Sequence, residues 1–391
     1  MTRIYLDNAA TSWPKPEAVY AVVDDWQRRV GASYARGTSS AADETRAIVD
    51  RARRGVAKLI GESDPRRVLF TGGGTDAINL AVLGMLRDGD HVVATVCDHN
   101  AVLRSLASLD GKEGSVRVDT TYVDCDSEGL VGAEAIADAI QPNTRMVAIL
   151  HASNVTGTVQ PIEEVARLTK PRGIRLLVDA AQTMGRWPLD VETLGADLVA
   201  APGHKGLLGP LGVGVLWIGQ GVEEELRPRR FGGAASGGEL LAQPTTLPDK
   251  YEAGSLNVPA IAGLTAGVEH VESLGVNAIR KQVFEHRDRL ARGLAAIDGV
   301  TVYGPAEADR QAGVVSFQAT GYDSHELAML LSQIAGVESR AGLHCAPRLH
   351  AALGTSEFGG LVRLSPGTMT TSAEIDATVE AVSQLAATPT V

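Results

Sequence analysis

Cysteine is scarce in this chain, with three in 391 residues. Cys97, Cys125 and Cys345 are odd in number and far apart, which excludes a disulfide framework; with no CxxC and no clustered histidines they make no structural metal site either. Each is ordinarily a small buried hydrophobe, so a nucleophile among them needs a further reason. Basic residues are also few, 36 Lys and Arg against 47 Asp and Glu for a net charge of −11. Such a surface repels polyanions, so neither nucleic acid nor an anionic membrane is an expected partner. No apolar run has the length of a bilayer span, and the opening MTRIYLDNAAT lacks the pattern of a secretory leader. A soluble cytoplasmic protein is the expectation. There is no internal repeat and no low-complexity segment. What is present is length and 44% hydrophobic residues, enough for a large core and two domains.

The order of patterns suggests how these are laid out. A short extended segment, Ile4 to Leu6, precedes Asp7-Asn8-Ala9-Ala10-Thr11 and the breakers Pro14 and Pro16. Helical spacing then predicts helices over about 17–30 and 43–60, joined by the polar loop GASYARGTSS that holds Arg36. From Val68 to Ile218, β-rich apolar runs alternate with helix patterns, which predicts a largely parallel sheet covered on both faces, with ligands gathering at strand ends. After Tyr251 come two long helix signals and then a short α+β series, the mark of a smaller second domain. The expected division is an N-terminal segment over 1–20 that packs with the small domain, a large domain over 21–255 and a small one over 256–391.

Three stretches carry chemistry. In DLVAAPGHKGLLGPLGVG, Asp197 to Gly214, an apolar strand leads through a Pro-Gly turn to His204-Lys205 and a run of glycines. A lysine ringed by small residues after a buried strand is partly desolvated, which lowers its pKa and suits a Schiff-base lysine. In FTGGGTDAIN, Phe70 to Asn79, three glycines open a helix whose free amides favour a phosphate. Gly72-x-Gly74-x-x-Ala77 also fits a dinucleotide fingerprint, with Asp98 as the ribose acid, so a nicotinamide dehydrogenase competes. In LLVDAAQ an apolar strand delivers Asp179 to its carboxyl end, where a carboxylate must be paired; an ordinary salt bridge and the partner of a pyridinium nitrogen are both open. His99, Asn154, Gln182 and Arg36 taken singly read as ordinary cap, turn or loop residues.

Taken in order, Gly73-Gly74-Thr75, His99, Ser153-Asn154, Asp179-Ala180-Ala181-Gln182 and Gly203-His204-Lys205 resemble the class V, fold-type I pyridoxal phosphate family along nearly the whole chain. YLDNAAT, YEAGSLN at Tyr251 to Asn257 and RAGLHCAP at Arg340 to Pro347 resemble its cysteine desulfurases, in the SufS-like branch with a short loop before the cysteine. The resemblance implies an α/β fold with a mostly parallel seven-stranded sheet and a smaller α+β domain, and pyridoxal 5'-phosphate as cofactor. It makes Lys205 the Schiff-base lysine, Asp179 the pyridinium partner, and His99 the ring-stacking residue. Asn154 and Gln182 face the ring, while Gly74, Thr75 and His204 hold the phosphate. Arg363 takes the substrate carboxylate, Arg340 and Arg36 shape the entrance, and Ala9 lies on the substrate side. Ser255 reaches a neighbour's phosphate across a homodimer. Two positions depart from the family pattern: Pro202 where many relatives have serine, and Ala35 where many have histidine.

Cys345 is then the sulfur acceptor. Pro347 occupies the first position of a following helix, so the thiol lies near a helix N-terminus, and a protonated His344 would also favour thiolate. Cys125 sits between Asp124 and Asp126, whose field raises a thiol's pKa. The implied activity is conversion of L-cysteine to L-alanine, with sulfur held on Cys345 as a persulfide and passed to an acceptor protein. The alternatives are a selenocysteine lyase acting on L-selenocysteine, another class V enzyme (aminotransferase, epimerase or C–S lyase), or a non-enzymatic scaffold that holds cofactor or sulfur.

Overall fold

A computed structural model describes residues 3–34, 37–112, 116–233, 236 and 241–387. In chain order, β1 (Ile4–Tyr5), α1 (Glu17–Asp25) and α2 (Ser40–Leu59) precede the large sheet. There follow β2 (Val68–Thr71), α3 (Gly74–Met85), β3 (His91–Thr95), α4 (Asn100–Ala107), β4 (Asp119–Val123), α5 (Ala133–Asp138) and β5 (Thr144–Leu150). Then come α6 (Ile162–Thr169), β6 (Arg175–Asp179), α7 (Val191–Leu194), β7 (Leu198–Pro202), β8 (Gly214–Ile218) and α8 (Val222–Glu225). The remainder is α9 (Val258–Leu274), α10 (Val276–Ala295), β9 (Val300–Tyr303), β10 (Val315–Ala319), α11 (Ser324–Ala335), β11 (Val337–Glu338), β12 (Arg340–Gly342), α12 (Pro347–Ala352), β13 (Leu361–Leu364) and α13 (Ser372–Ala386).

Local chemistry sets many of these bounds. Ser39 caps α2 by accepting from Ala42 N, Asp323 caps α11 by accepting from His325 N, and Thr371 with Glu374 forms a reciprocal capping box at α13. The periodic run expected over 17–30 is α-helical only to Asp25; residues 26–30 form a wider π turn that Gly31 ends at φ 57°. Gly31 tolerates that left-handed angle because it has no Cβ.

The large sheet runs β2-β8-β7-β6-β5-β3-β4. β7, β6, β5, β3 and β4 are mutually parallel, and β8 is antiparallel to both β2 and β7. Six strands therefore point one way, and β8 is the exception that makes the sheet mixed. Its central strands are buried on both faces, each face under its own apolar cluster, which is why they read as continuous apolar runs. A second, antiparallel sheet runs β12-β13-β10-β9, and β1 pairs in parallel with β11. Ile4 and Leu6 share an apolar cluster with Phe317, Leu331, Val362 and Val382; each such side chain contributes roughly 1.5–3 kcal/mol by its burial.

One buried ion pair ties α2 to the large sheet. Arg53 donates two 2.8 Å bonds to Glu252, whose Oε1 also accepts from Phe70 N at 2.7 Å. Arg53 also donates to Val68 O and stacks 4.6 Å over the Phe70 ring. The strand so held is β2, which ends just before the glycines that open α3. Among the described residues no helix is long and apolar enough to cross a membrane.

Candidate active site

The carboxyl ends of β5, β6 and β7 and the amino ends of α3 and α4 converge with the loop before α12 on one cavity of about 210 Å³. Ala9, Gly74, Thr75, His99, Asn154, Asp179, Gln182, His204, Lys205, Arg340, Cys345 and Arg363 all line it. Twelve of the fourteen residues singled out in the sequence are thus brought together. Of the other two, Ser255 is exposed and does not line it, and Arg36, with Ala35, lies outside the described residues.

Lys205 sits in the tight turn after β7. Gly203 N donates to Val213 O at 2.9 Å and Gly209 N to Gly203 O at 2.8 Å, closing the glycine-rich loop that carries Lys205. A Cβ at Gly206 would lie 2.3 Å from Met184 O, so only glycine fits there. Burial lowers the pKa of Lys205 to about 8; Asp179 opposes that shift, while Arg363, Arg186 and Arg340 add to it. Asp179 ends β6, and its Oδ1 accepts from Ala181 N at 2.9 Å. Burial raises its pKa, against the Ala181 bond and Lys205.

His99 caps α4 and lines the cavity at once, so its two sequence readings do not compete. Its Nδ1 accepts from Ala101 N at 3.0 Å, which leaves the proton on Nε2. Burial, then Lys205, Arg340 and Arg363, push its pKa to about 4, so the ring is neutral. Gly74 and Thr75 open the 12-residue α3, whose first-turn amides have no intrahelical acceptors. A Cβ on Gly74 would lie 3.1 Å from both the Pro202 ring and its backbone N, so glycine lets the helix start approach the end of β7. His204 O accepts from Ser12 N at 3.0 Å and Thr11 Oγ1 at 3.2 Å, and its buried Nδ1 has no partner among the described residues.

The dinucleotide reading fails on Asp98. This side chain is wholly buried, accepts from Thr95 N at 2.7 Å and Thr95 Oγ1 at 3.0 Å, and does not line the cavity. It closes its own turn, and no ribose hydroxyl can reach it.

Arg363 lies in β13, cross-strand from Arg340 in β12. Its Nη1 donates to Asn154 O at 3.0 Å, its Nη2 to Asp7 Oδ1 at 2.7 Å, and its Nε is buried without a partner among the described residues. Asp7 went unnoticed in the sequence, although it stands inside YLDNAAT; the contact spans 356 residues. Asn154 Nδ2 donates to His344 O at 2.6 Å and Gln182 Nε2 to Ala9 O at 3.2 Å, so both amides brace the cavity wall.

Cys345 is half-buried, and it and the residue before it have unusual backbone: His344 at φ 49° and Cys345 at φ 59° are both left-handed, at roughly 1–3 kcal/mol each. Cys345 O accepts from Asn100 N at 2.7 Å. Pro347 does begin a helix, but α12 has only six residues. His344 is not the charged helper expected from its position. Burial, followed by Arg363, holds its pKa well below the ordinary value, and it is neutral. Arg363 and Cys345, which both line the cavity, interact electrostatically. Neither Cys97 nor Cys125 lines the cavity. Cys97 is held up by its hydrogen bond with Cys125 and by burial. That same bond lowers Cys125 despite Asp126 and Asp124, which reverses the direction expected from its flanking acids.

Comparison with known proteins agrees with this geometry. The aminotransferase class-V family model matches residues 4–378. A probable cysteine desulfurase of Methanothermobacter thermautotrophicus is 34% identical over 98% of this chain and 94% of its own length. A cysteine desulfurase of Haloferax volcanii is 33% identical over 90% of this chain and 83% of its own. Among solved structures, the apo cysteine desulfurase of Thermococcus onnurineus superposes with a TM-score of 0.91 at 30% identity, covering 98% of this chain and 95% of that one. The cysteine desulfurase CsdA of Escherichia coli superposes with a TM-score of 0.86 at 27% identity, covering 98% and 94%. With its lysine, buried aspartate and cysteine on one cavity and a family match along nearly its full length, this chain belongs to the aminotransferase class-V family.

Proposed function

We propose that this protein is a cysteine desulfurase: L-cysteine gives L-alanine, and the sulfur is left on Cys345 as a persulfide. One observation carries the reading, the presence of Cys345 on the same cavity as Lys205, Asp179 and Arg363. An aminotransferase or epimerase site has no use for a thiol there.

The residues fit pyridoxal 5'-phosphate. The open amides at Gly74 and Thr75 and the unpartnered His204 Nδ1 suit its phosphate, and the buried Asp179 carboxylate suits a protonated ring nitrogen. His99 supplies a neutral ring to stack on it and Lys205 the amine to hold it. When bound, this group supplies an electron sink for charge developing at the substrate's α-carbon.

The chain's own groups do the rest. Arg363 takes the substrate carboxylate through its free Nε edge, aiming the Cα–H bond. Lys205, with a pKa near 8, removes and returns that proton at neutral pH. Cys345 Sγ, as thiolate, forms the S–S bond while the substrate's Cβ–S bond breaks, and its electron pair goes to the carbon fragment, which is protonated to alanine. The balance is L-cysteine plus enzyme thiol giving L-alanine plus enzyme persulfide, which an acceptor protein then discharges. Residues 21–255 supply the cofactor side, and 256–391, joined by 1–20, supply Cys345 and Arg363.

A homodimer completes the reading. Ser255 is exposed, next to Gly254, whose N donates to Gly233 O at 2.7 Å, and Phe231 stands nearby at 74% exposure. An exposed aromatic side chain of that kind suits a two-fold contact that delivers Ser255 to the neighbour's phosphate. Measuring alanine and sulfide from L-cysteine tests the function. Alanine without sulfide or persulfide, or pyruvate in its place, contradicts it.

A further inference from the structure

Behind Cys345 lies a chain of three buried side chains that the reaction does not touch. His344, His350 and Thr355 are 4%, 0% and 0% exposed. His344 Nε2 is 3.2 Å from Arg340 O, His344 Nδ1 is 3.4 Å from His350 Nε2, and His350 Nδ1 is 2.8 Å from Thr355 Oγ1.

The direction of this chain follows from its last member. A carbonyl oxygen only accepts, so His344 Nε2 carries the proton and Nδ1 is bare. His350 Nε2 must then donate to that bare nitrogen, which leaves His350 Nδ1 as an acceptor. Thr355 Oγ1, also 3.3 Å from His350 O, gives its single proton to the nearer Nδ1. Every bond runs one way, from Thr355 through His350 and His344 to Arg340 O, and both rings are neutral single tautomers. Burial, which lowers the pKa of His350 to about 4 and holds that of His344 well below its ordinary value, agrees with this.

Geometry shows what the chain holds. His344 and Cys345 both have left-handed backbones. Their carbonyls accept from Asn154 Nδ2 and Asn100 N, at 2.6 and 2.7 Å. The His344 ring is held by His350 and Arg340 O. Thr355 O in turn accepts from Gly360 N at 3.1 Å, one residue before β13, which carries Arg363. One set of bonds thus links the loop holding the thiol to the strand holding the carboxylate-binding arginine.

We propose that Thr355, His350 and His344 are positioning residues, which hold Cys345 Sγ in line with the sulfur of a substrate whose carboxylate is on Arg363. The proposal rests on Cys345 being the sulfur acceptor. It predicts damage to sulfur transfer and little damage to substrate binding.

The test uses the holoenzyme with Thr355→Val, His350→Leu and His350→Gln. Valine keeps the shape of threonine without the hydroxyl, leucine removes both ring nitrogens, and glutamine retains an N–H for His344 Nδ1. Expected for Thr355→Val and His350→Leu is a fall in kcat of about 10- to 100-fold, the scale of a misplaced reacting atom. KM should stay within about twofold if Arg363 still binds the carboxylate. Alkylation of Cys345 by iodoacetamide should slow with kcat, and His350→Gln should recover most of both. Loss of kcat and a rise in KM in step with a lowered Tm, with no rescue by glutamine, would make the chain merely structural and overturn the proposal, as would unchanged kcat in all three. Wild-type turnover by Cys345→Ala would instead overturn the assignment of Cys345 on which it rests.

Discussion

Replacing Glu252 with alanine strands a buried charge. Arg53, at 4% exposure, loses both 2.8 Å bonds, and Phe70 N loses its 2.7 Å acceptor. Leaving one member of a buried pair without its partner costs about 3–5 kcal/mol, and an orphaned buried amide adds about 1–3 kcal/mol. Arg53 keeps Val68 O and the Phe70 ring, so an overall loss near the lower end, about 4 kcal/mol, is expected. Set against a total stability of about 5–15 kcal/mol, this is a large fraction. Urea denaturation followed by circular dichroism reads it as a shift in midpoint. The double variant Arg53→Met, Glu252→Leu removes both charges and should cost far less than the two single losses added together. Since β2 leads into the glycines before α3, the single variant should also retain less cofactor. A loss under about 1 kcal/mol for Glu252→Ala, or additive losses in the double variant, would refute the reasoning.

Four further outcomes follow from the site. In the cofactor-free protein, labelling of Lys205 by an amine reagent should rise with pH, since only the free amine reacts, and reach half its maximum near pH 8; a midpoint near the ordinary 10.5 contradicts its desolvation. Borohydride reduction of the holoenzyme followed by peptide mapping should place the cofactor on Lys205, and Lys205→Ala should carry none; a tag on another lysine contradicts the assignment. Gly74→Ala should weaken cofactor binding, measured by equilibrium dialysis, because its Cβ meets Pro202 at 3.1 Å; undiminished affinity contradicts the close approach. Arg363→Ala should lower kcat/KM for L-cysteine by about 100-fold, the worth of a bidentate charged contact, mainly through KM; a change under threefold contradicts its role.

Much of this was legible in the sequence, for reasons visible in single elements. The last helix, Ser372–Ala386, shows why helices are legible: an apolar pattern follows a Thr371–Glu374 capping box that marks its start. The strands β5, β6 and β7 announced themselves as apolar runs because both their faces are buried. Strand direction was not legible, because β8 has the apolar composition of its parallel neighbours. Asp98 misled because a self-closing turn and a ribose-binding acid occupy the same place after a strand. The contacts that brace the site, Asp7 to Arg363 and Arg53 to Glu252, join residues 356 and 199 positions apart. No local pattern encodes such pairs. The neutrality of His344 was likewise hidden, because its burial depends on His350 and on how α12 packs.

The most direct measurement is the location of the transferred sulfur. The holoenzyme is given L-cysteine without reductant, its thiols and persulfides are alkylated, and the peptides holding Cys97, Cys125 and Cys345 are weighed by mass spectrometry. One added sulfur on the Cys345 peptide, with one alanine released per site, is the predicted result. Sulfur on Cys97 or Cys125, or none on any of the three while alanine accumulates, would contradict the assignment of Cys345 as the acceptor.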